Sequence, residues 1–190
     1  MCKKGGNITL KKPNYLVSVI HMQRIRKGSQ KLEEMCKRVP KKEKQFAQIF
    51  VVEFLAIFKI DKLDAKIEHF TRFDNQKHGW MDSLLDGVAL FEFKTAPLSK
   101  RRLEHAIEQA KRYWTSLPTD TRPPIIIICD FDFFWFLEPN TCEVVIHCKL
   151  SELHLYYYVL EPFFDYSENQ KKEKTCWHRF FSRLINFLRL

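Results

Sequence analysis

Glycine and proline are scarce in this chain, with 5 and 8 residues among 190, and none of the six cysteines forms a CxxC pair. So few chain breakers argue against low complexity, and the cysteine spacing matches neither a disulfide framework nor a zinc module. No hydrophobic run approaches the ~20 residues that span a bilayer, and no signal peptide is recognisable. These absences favour a cytoplasmic globular protein with reduced thiols.

The net charge of +9 is concentrated at the N-terminus. Residues 1–44 hold 13 Lys and Arg against three Asp and Glu, whereas the rest of the chain holds 19 basic and 20 acidic groups. A basic arm on a neutral domain is typical of a phosphate-binding extension, but a solvated, partly disordered tail has the same composition. We predict a basic N-terminal arm over 1–40, a domain over 41–166 and a basic amphipathic C-terminal helix over 167–190.

Hydrophobic periodicity and turn signals predict alternating helices and strands. Helices are expected over Lys42–Phe58 and from a Ser99 cap to Leu117, and helical or irregular segments over 151–164. Strands are expected over Lys66–Phe73, Trp80–Leu85, Val88–Thr95, Ile125–Cys129, Phe133–Leu137 and Val144–Lys149. This order predicts an α/β sandwich with a mixed central sheet flanked by helices.

Two acids and a lysine around the second predicted hairpin form the main candidate site. Glu92 and Lys94 share one face of a strand because side chains two apart point to the same side. A buried charge there needs an ionic partner or a metal. Asp82 joins them if a three-residue loop over 86–88 pairs position 82 with 92, whereas a two-residue turn sends it to the other face. We therefore predict that loop, or an equivalent bulge, with Gly87 at positive φ.

Two carboxylates supply the hard oxygen ligands that Mg²⁺ or Mn²⁺ prefers, and the main-chain carbonyl of Phe93 is a candidate third ligand. Such an ion polarises a phosphodiester and lowers the pKa of a bound water. Lys94 would orient or deprotonate that water, or stabilise charge on the phosphate. The structural alternative is that Glu92 and Lys94 form a surface ion pair on an edge strand, with Asp82 an acid near a turn.

An Asp followed ten residues later by Glu-x-Lys, on a hairpin that precedes a helix, resembles the PD-(D/E)xK nuclease superfamily. The sequence Met81-Asp82-Ser83-Leu84-Leu85 lacks the proline of that motif. Gln109 and Tyr113 on the following helix resemble the QxxxY motif of RecB-like nucleases. The resemblance implies a restriction-endonuclease-like sandwich in which these two residues support catalysis.

The order of the motifs is also similar to the N-terminal nuclease domain of MmeI-like restriction–modification enzymes. The similar segments are Met81–Leu85, Leu90–Lys94, the helix with Ala106 to Tyr113, the strand Ile127–Phe131 and the helix Glu53–Phe58. They extend from about Glu43 to Phe164, and families of this kind often carry a further acid where Glu43 stands. The resemblance implies a Mg²⁺-dependent DNA endonuclease with Asp82, Glu92 and Lys94 as catalytic residues.

In that family the nuclease, an adenine-specific DNA methyltransferase and the target-recognition part share one polypeptide. The present sequence has no Asn-Pro-Pro-Tyr-type motif and no glycine-rich S-adenosylmethionine loop. A fragment, a disrupted reading frame or a stand-alone subunit of such an enzyme is therefore expected. DNA, a methyltransferase and target-recognition polypeptide, and a second copy of the chain are the candidate partners.

Two other functions fit the same sequence. One is a non-catalytic DNA-binding or assembly module that grips phosphates through five basic residues, namely Lys41, Lys42, Lys100, Arg101 and Arg102. The other is an inert remnant of a larger enzyme.

Several residues also have plain structural interpretations. Glu43 would favour the helix dipole, Asp86 would form a turn, and Gln109 and Tyr113 would pack their helix on the sheet. The safer interpretation of Asp130 and Asp132 is that of loop acids. Cys142, His147, Cys148 and His154 match no zinc spacing, and the segment Trp177–Leu190 fits docking on protein better than binding at a membrane surface.

Overall fold

The computed structural model describes residues 15–38, 43–72 and 78–172. The elements within these residues are α1 (Tyr15–Arg38), α2 (Glu43–Ile57), a 3₁₀ turn (Lys62–Asp64), β1 (Lys66–Arg72), β2 (His78–Leu85), β3 (Ala89–Phe93), α3 (Lys100–Ser116), β4 (Ile126–Cys129), β5 (Phe133–Leu137), β6 (Val144–Lys149), a 3₁₀ segment (Leu150–Leu160) and a helix α4 over 161–172. None of the described helices is long and apolar enough to cross a membrane.

The strands form one mixed open sheet in the order β1-β2-β3-β4-β5-β6. Each neighbouring pair is antiparallel except β3 and β4, which are parallel. Helix α3 makes the crossover between these two strands, as a parallel pair requires. Ser99 caps the helix at its N-terminus and Leu117 ends it, as the sequence predicts. The predicted α/β sandwich with a mixed sheet is confirmed.

Helices cover both faces of the sheet. On one face, rings of α2 pack on rings of the central strands, with Phe50 on Phe93 at 5.8 Å and Phe54 on Phe91 at 5.6 Å between centroids. On the other face, α3 places small residues such as Ala110 in a separate hydrophobic cluster. Since side chains alternate along a strand, the position between Phe91 and Phe93 faces α3. That position belongs to Glu92.

Helix α1 is absent from the sequence-based prediction, which allowed for a solvated, disordered N-terminal tail. Ile25 and Leu32 are at most 1% exposed and lie in the same hydrophobic cluster as α2. They are seven residues apart and therefore share one stripe of the helix. The disordered-tail alternative is thus wrong for residues 15–38, because this stripe packs on the domain.

The predicted limit at residue 166 falls inside helix α4, which includes the buried Phe163 and Ser167. The proposed C-terminal helix Trp177–Leu190 lies outside the described residues, as do Lys41 and Lys42.

The loop between β2 and β3 has the predicted length. Leu85 pairs with Ala89 and Ser83 pairs with Phe91, which leaves three residues in the loop. The N–H of Val88 donates to the carbonyl of Leu85 at 3.0 Å, and Gly87 has a φ of +67°. A left-handed φ is the conformation that glycine adopts at least cost. The predicted three-residue loop with Gly87 at positive φ is confirmed.

Gly28 of α1 lies directly against Ile57 of α2, and substituting it tests this packing. A Cβ at this position would lie 2.4 Å from Cγ1 of Ile57. We expect Gly28→Ala to lower the free energy of unfolding by about 1 to 2 kcal/mol, because overpacking outweighs the gain in helix propensity. Chemical denaturation followed by circular dichroism measures this.

The exposed Gln30 on the same helix provides the matched control, because Gln30→Ala should be close to neutral. In an Ile57→Ala background the sign should reverse, so that Gly28→Ala becomes stabilising. A destabilisation of the same size in both backgrounds would contradict the contact between α1 and α2.

Replacement of Gly87 tests the loop. A Cβ there would meet no atom within 4 Å, so only the backbone conformation is penalised. We expect Gly87→Ala to destabilise by about 1 kcal/mol and Gly87→Asn by less, because Asn tolerates a left-handed φ better. Urea denaturation measures both, and equal stabilities of the two variants would argue against a positive φ at this residue.

Candidate metal and phosphodiester site

Asp82 lies where the pairing of the central strands ends. The register of β2 and β3 runs from Leu85–Ala89 to Ser83–Phe91, and its next step places Asp82 opposite Glu92. Instead of continuing the ladder, the Asp82 carboxylate accepts a hydrogen bond from the N–H of Phe93, with 2.7 Å between Oδ2 and N. That nitrogen belongs to the peptide bond that joins Glu92 to Phe93. The Asp82 carboxylate is therefore held directly beside the backbone of Glu92.

The edge strand β1 is irregular at the position opposite Asp82. Ile67 pairs with Ser83 and His69 with Met81, while Glu68, between them, has a φ of +49°. A left-handed conformation costs a residue with a side chain roughly 1–2 kcal/mol, and such strain clusters at functional sites. Nothing in the sequence distinguishes Glu68 from an ordinary strand residue, so its left-handed conformation could not be predicted.

Glu92 is a buried acid in the middle of the sheet. It lies on β3, between β2 and β4, and is 1% exposed. Its Oε1 accepts a hydrogen bond from Nζ of Lys94, whose side chain is 19% exposed. The alternative of a surface ion pair on an edge strand is therefore wrong, because β3 is central and the carboxylate is buried.

Such a buried pair is weak evidence for a stabilising role. Removing a carboxylate from water costs several kcal/mol, and the attraction of one lysine compensates this only partly. A cation held by the carboxylates of Asp82 and Glu92 would offset the remaining cost.

Helix α3 brings Gln109 and Tyr113 to this site. Nε2 of Gln109 donates to the hydroxyl of Tyr113 at 3.1 Å, and Tyr113 is 6% exposed. Burial raises the pKa of Tyr113, and the Gln109 hydrogen bond partly opposes this. The charges of Glu92 and Asp82 raise this pKa further, and that of Lys94 lowers it. The three charged residues thus lie within electrostatic reach of one tyrosine.

The donor set fits a hard divalent cation with few protein ligands. Within the described residues, no group of three or more His, Cys, Asp and Glu side chains is placed to hold a metal ion. An ion here would have two carboxylates, of Asp82 and Glu92. Because the N–H and C=O of a strand residue point to the same side, the carbonyl of Phe93 faces the β2 edge, where its N–H binds Asp82. Mg²⁺ suits this arrangement, because it usually keeps several waters beside one or two carboxylates.

Other acids near the site have structural roles. Asp86 forms an ion pair with Lys66, with 2.6 Å between Oδ2 and Nζ. Asp130 is 2% exposed, and its Oδ1 accepts hydrogen bonds from the N–H groups of Asp132 and Phe133. Glu43 is the first residue of α2, and its side chain lies outside the described part of the chain.

Within the described residues, Cys142, His147, Cys148 and His154 form no group that could hold a metal ion. The His147 ring stacks on Trp135 at 4.8 Å, and burial raises the pKa of Cys148 to about 12. Cys36, Cys129, Cys142 and Cys148 are free cysteines among the described residues.

The structure describes three of the five basic residues that are predicted to bind DNA phosphates. These three residues are the first residues of helix α3. Lys100, Arg101 and Arg102 are exposed in its first turn. The guanidinium of Arg102 donates to the carbonyl of Pro97 at 3.1 Å. The segment that bears them directly follows β3, so the cations and the acids are close along the chain. Their contact with DNA stays a prediction.

One family of known proteins matches most of this chain. No curated protein and no solved structure matches the chain. The family described as the N-terminal domain of MmeI matches residues 27–176, which include all of β1 to β6, α2, α3 and α4. The match therefore extends over most of the chain, and the chain belongs to the MmeI N-terminal domain family.

Proposed function

We propose that this chain is a Mg²⁺-dependent DNA endonuclease domain of a restriction–modification system. Its family associates it with restriction–modification enzymes. The observation that supports the proposal is that the Asp82 carboxylate accepts a hydrogen bond from the N–H of Phe93, directly after Glu92, while the buried Glu92 forms an ion pair with Lys94. The Asp82 carboxylate lies where the pairing of β2 with β3 ends, directly beside the backbone of Glu92.

The residues have separate roles in this proposal. Asp82 and Glu92 hold the cation, with the carbonyl of Phe93 as a third oxygen. A bound Mg²⁺ polarises the scissile phosphodiester and lowers the pKa of its water. Lys94 orients the attacking water and stabilises negative charge on the phosphate. The hydrogen bond from Phe93 fixes the Asp82 carboxylate, so little reorganisation is needed when the cation binds.

Gln109 and Tyr113 support this arrangement from helix α3. Since the phenol stays protonated at neutral pH, it remains a donor near the acids. We propose that it positions the carboxylates or the phosphate. We further propose that the domain works with methyltransferase and target-recognition parts, either on a longer polypeptide or on a partner, and that a second copy of the chain is a further partner.

A non-catalytic DNA-binding module is the second candidate function. The exposed cations of the first turn of α3 favour it, because phosphates bind well at helix N-termini that carry Lys and Arg. Salt-sensitive DNA binding is expected under both functions, and only hydrolysis separates them.

Nicking of a supercoiled plasmid in the presence of Mg²⁺ tests the catalytic proposal. We expect Asp82→Asn, Glu92→Gln and Lys94→Met each to reduce the rate by about a hundredfold or more, because each removes a ligand or a charge at the reacting phosphate. Asp86→Asn is the matched control, an acid on the same hairpin that is paired with Lys66. It should nick at the wild-type rate.

Wild-type protein that binds plasmid but does not nick it with Mg²⁺ or Mn²⁺ would favour the binding module. Protein that neither nicks nor binds DNA would favour the inert remnant.

Thermal unfolding with and without Mg²⁺ tests metal binding independently of DNA. Ligand at a hundred times its Kd stabilises the folded state by about 2.7 kcal/mol, so the wild-type Tm should rise with Mg²⁺ concentration. We expect the rise to be lost in Asp82→Asn and kept in Asp86→Asn. An equal rise in all three proteins would place the ion elsewhere.

A further inference from the structure

The sheet face that carries Glu92 continues past helix α3, which packs on β1 to β4, to the edge strand β6. The register pairs Glu92 with Ile128 of β4, and Ile128 with Trp135 of β5. Trp135 in turn pairs with His147 of β6 and belongs to the hydrophobic cluster under α3. Since residues that pair across strands point to the same face, His147 lies on the face of Glu92. The two residues are three strands apart, or about 14 Å across the sheet.

Three rings stand together at the far end of this row, and we refer to Phe133, Trp135 and His147 as the ring platform. The imidazole of His147 is stacked on the indole of Trp135, with centroids 4.8 Å apart and 10° between the planes. Phe133 lies 5.4 Å from His147 and 6.1 Å from Trp135. Trp135 is buried, Phe133 is half-buried and His147 is exposed. Because β6 is the edge strand, no other strand of the described residues covers the outer face of the imidazole.

The end of the sheet that joins the candidate site to the ring platform is basic. Phe133 pairs with Lys149, so this exposed lysine stands beside the platform on the same face. The N–H of Lys94 donates to the carbonyl of Cys129 at 2.9 Å, which places the candidate site at the end of β4 that leads to β5. The exposed cations of the first turn of α3 follow β3 at this same end. Asp132 is an exposed acid here, but the cations outnumber it, so the path favours an anionic chain.

Exposed rings beside cations have the chemistry that recognises an unpaired nucleotide. Proteins that hold single strands stack the bases on aromatic side chains and track the phosphates with basic groups. Histidine is among the rings on which unpaired bases stack. A base inside a duplex already has a neighbouring base on each face. The outer face of His147 therefore fits a single strand and not the interior of a duplex.

We propose that the ring platform holds an unpaired nucleotide of the nucleic-acid strand whose scissile phosphate lies at Asp82 and Glu92. The base stacks on the outer face of His147, and Lys149 binds a phosphate of the same strand. The proposal rests on the proposed function for the position of the scissile phosphate. It adds a subsite for flanking nucleotides, which neither the cation nor Lys94 contacts.

Binding of a fluorescent single-stranded oligonucleotide, measured by anisotropy in EDTA, tests the ring platform without any catalysis. We expect His147→Ala to weaken binding about tenfold, because the loss of one stacked base has about this effect. His147→Phe should keep most of the affinity, since a flat ring remains while the nitrogens of the imidazole are lost. Lys149→Gln should weaken binding and reduce its dependence on salt. The affinity for a blunt duplex of the same sequence should not depend on His147.

His154→Ala is the matched control for the loss of a histidine. His154 lies in the 3₁₀ segment, where its neighbour Leu153 packs in the cluster on the opposite face of the sheet. The affinity of this variant for the single strand should equal that of the wild type.

Photocrosslinking is the second measurement and does not depend on the folding of a variant. A single strand that carries photoreactive thiothymidine should cross-link to the wild-type peptide that contains His147. Cross-links that avoid this peptide, or equal affinity of His147→Ala and wild type, would overturn the proposal. So would duplex binding that depends on His147 as strongly as single-strand binding does, or a wild-type protein that binds no single strand at low salt.

The outcomes separate this proposal from the proposed function. Single-strand binding that requires His147, without Mg²⁺-dependent nicking, would support the ring platform and contradict catalysis. Nicking that requires Asp82, together with single-strand binding that His147→Ala leaves unchanged, would do the reverse. A wild-type dimer that His147→Ala converts to monomer, with unchanged affinity for the oligonucleotide, would identify the edge at β6 as a self-interface and overturn the nucleotide assignment.

Discussion

The register between β2 and β3 is the constraint on which the candidate site depends. A shift of one residue moves a strand's whole set of side chains to the opposite face. The three-residue loop, with Gly87 in a left-handed conformation, fixes the register in which the position of Asp82 meets that of Glu92. The loop that Gly87 helps to form therefore sets the register that places two acids, ten residues apart in sequence, opposite each other.

The sequence predicted the parts of this structure that depend on local patterns. Strand alternation identified the face of Glu92 and Lys94, the turn signal gave the loop, and Ser99 gave the start of α3. Helix α1 could not be predicted in this way, because Ile25 and Leu32 are separated by many polar residues. They can be recognised as core residues only from the helix that they pack against. The left-handed backbone conformation of Glu68 likewise depends on its neighbours in the sheet and not on its residue type.

A charged group at the centre of a sheet must be explained by what it binds. Glu92 is flanked by the buried rings of Phe91 and Phe93, whose side chains turn to the opposite face. The sheet thus separates the aromatic layer under α2 from a second hydrophobic cluster under α3, on whose face Glu92 lies. The charged residue Glu92 therefore lies apart from the aromatic layer, because each face of the sheet packs in its own cluster.

The anchoring of α1 changes the physical meaning of the basic N-terminus. This helix carries six Lys and Arg and two Glu, and its core contacts hold it in a fixed orientation. Its cations therefore produce an electric field with a defined direction, whereas the same charges on a loose tether would average over all directions. A polyanion approaching the protein would be turned as well as attracted, so long-range forces would select its orientation before any short-range contact forms.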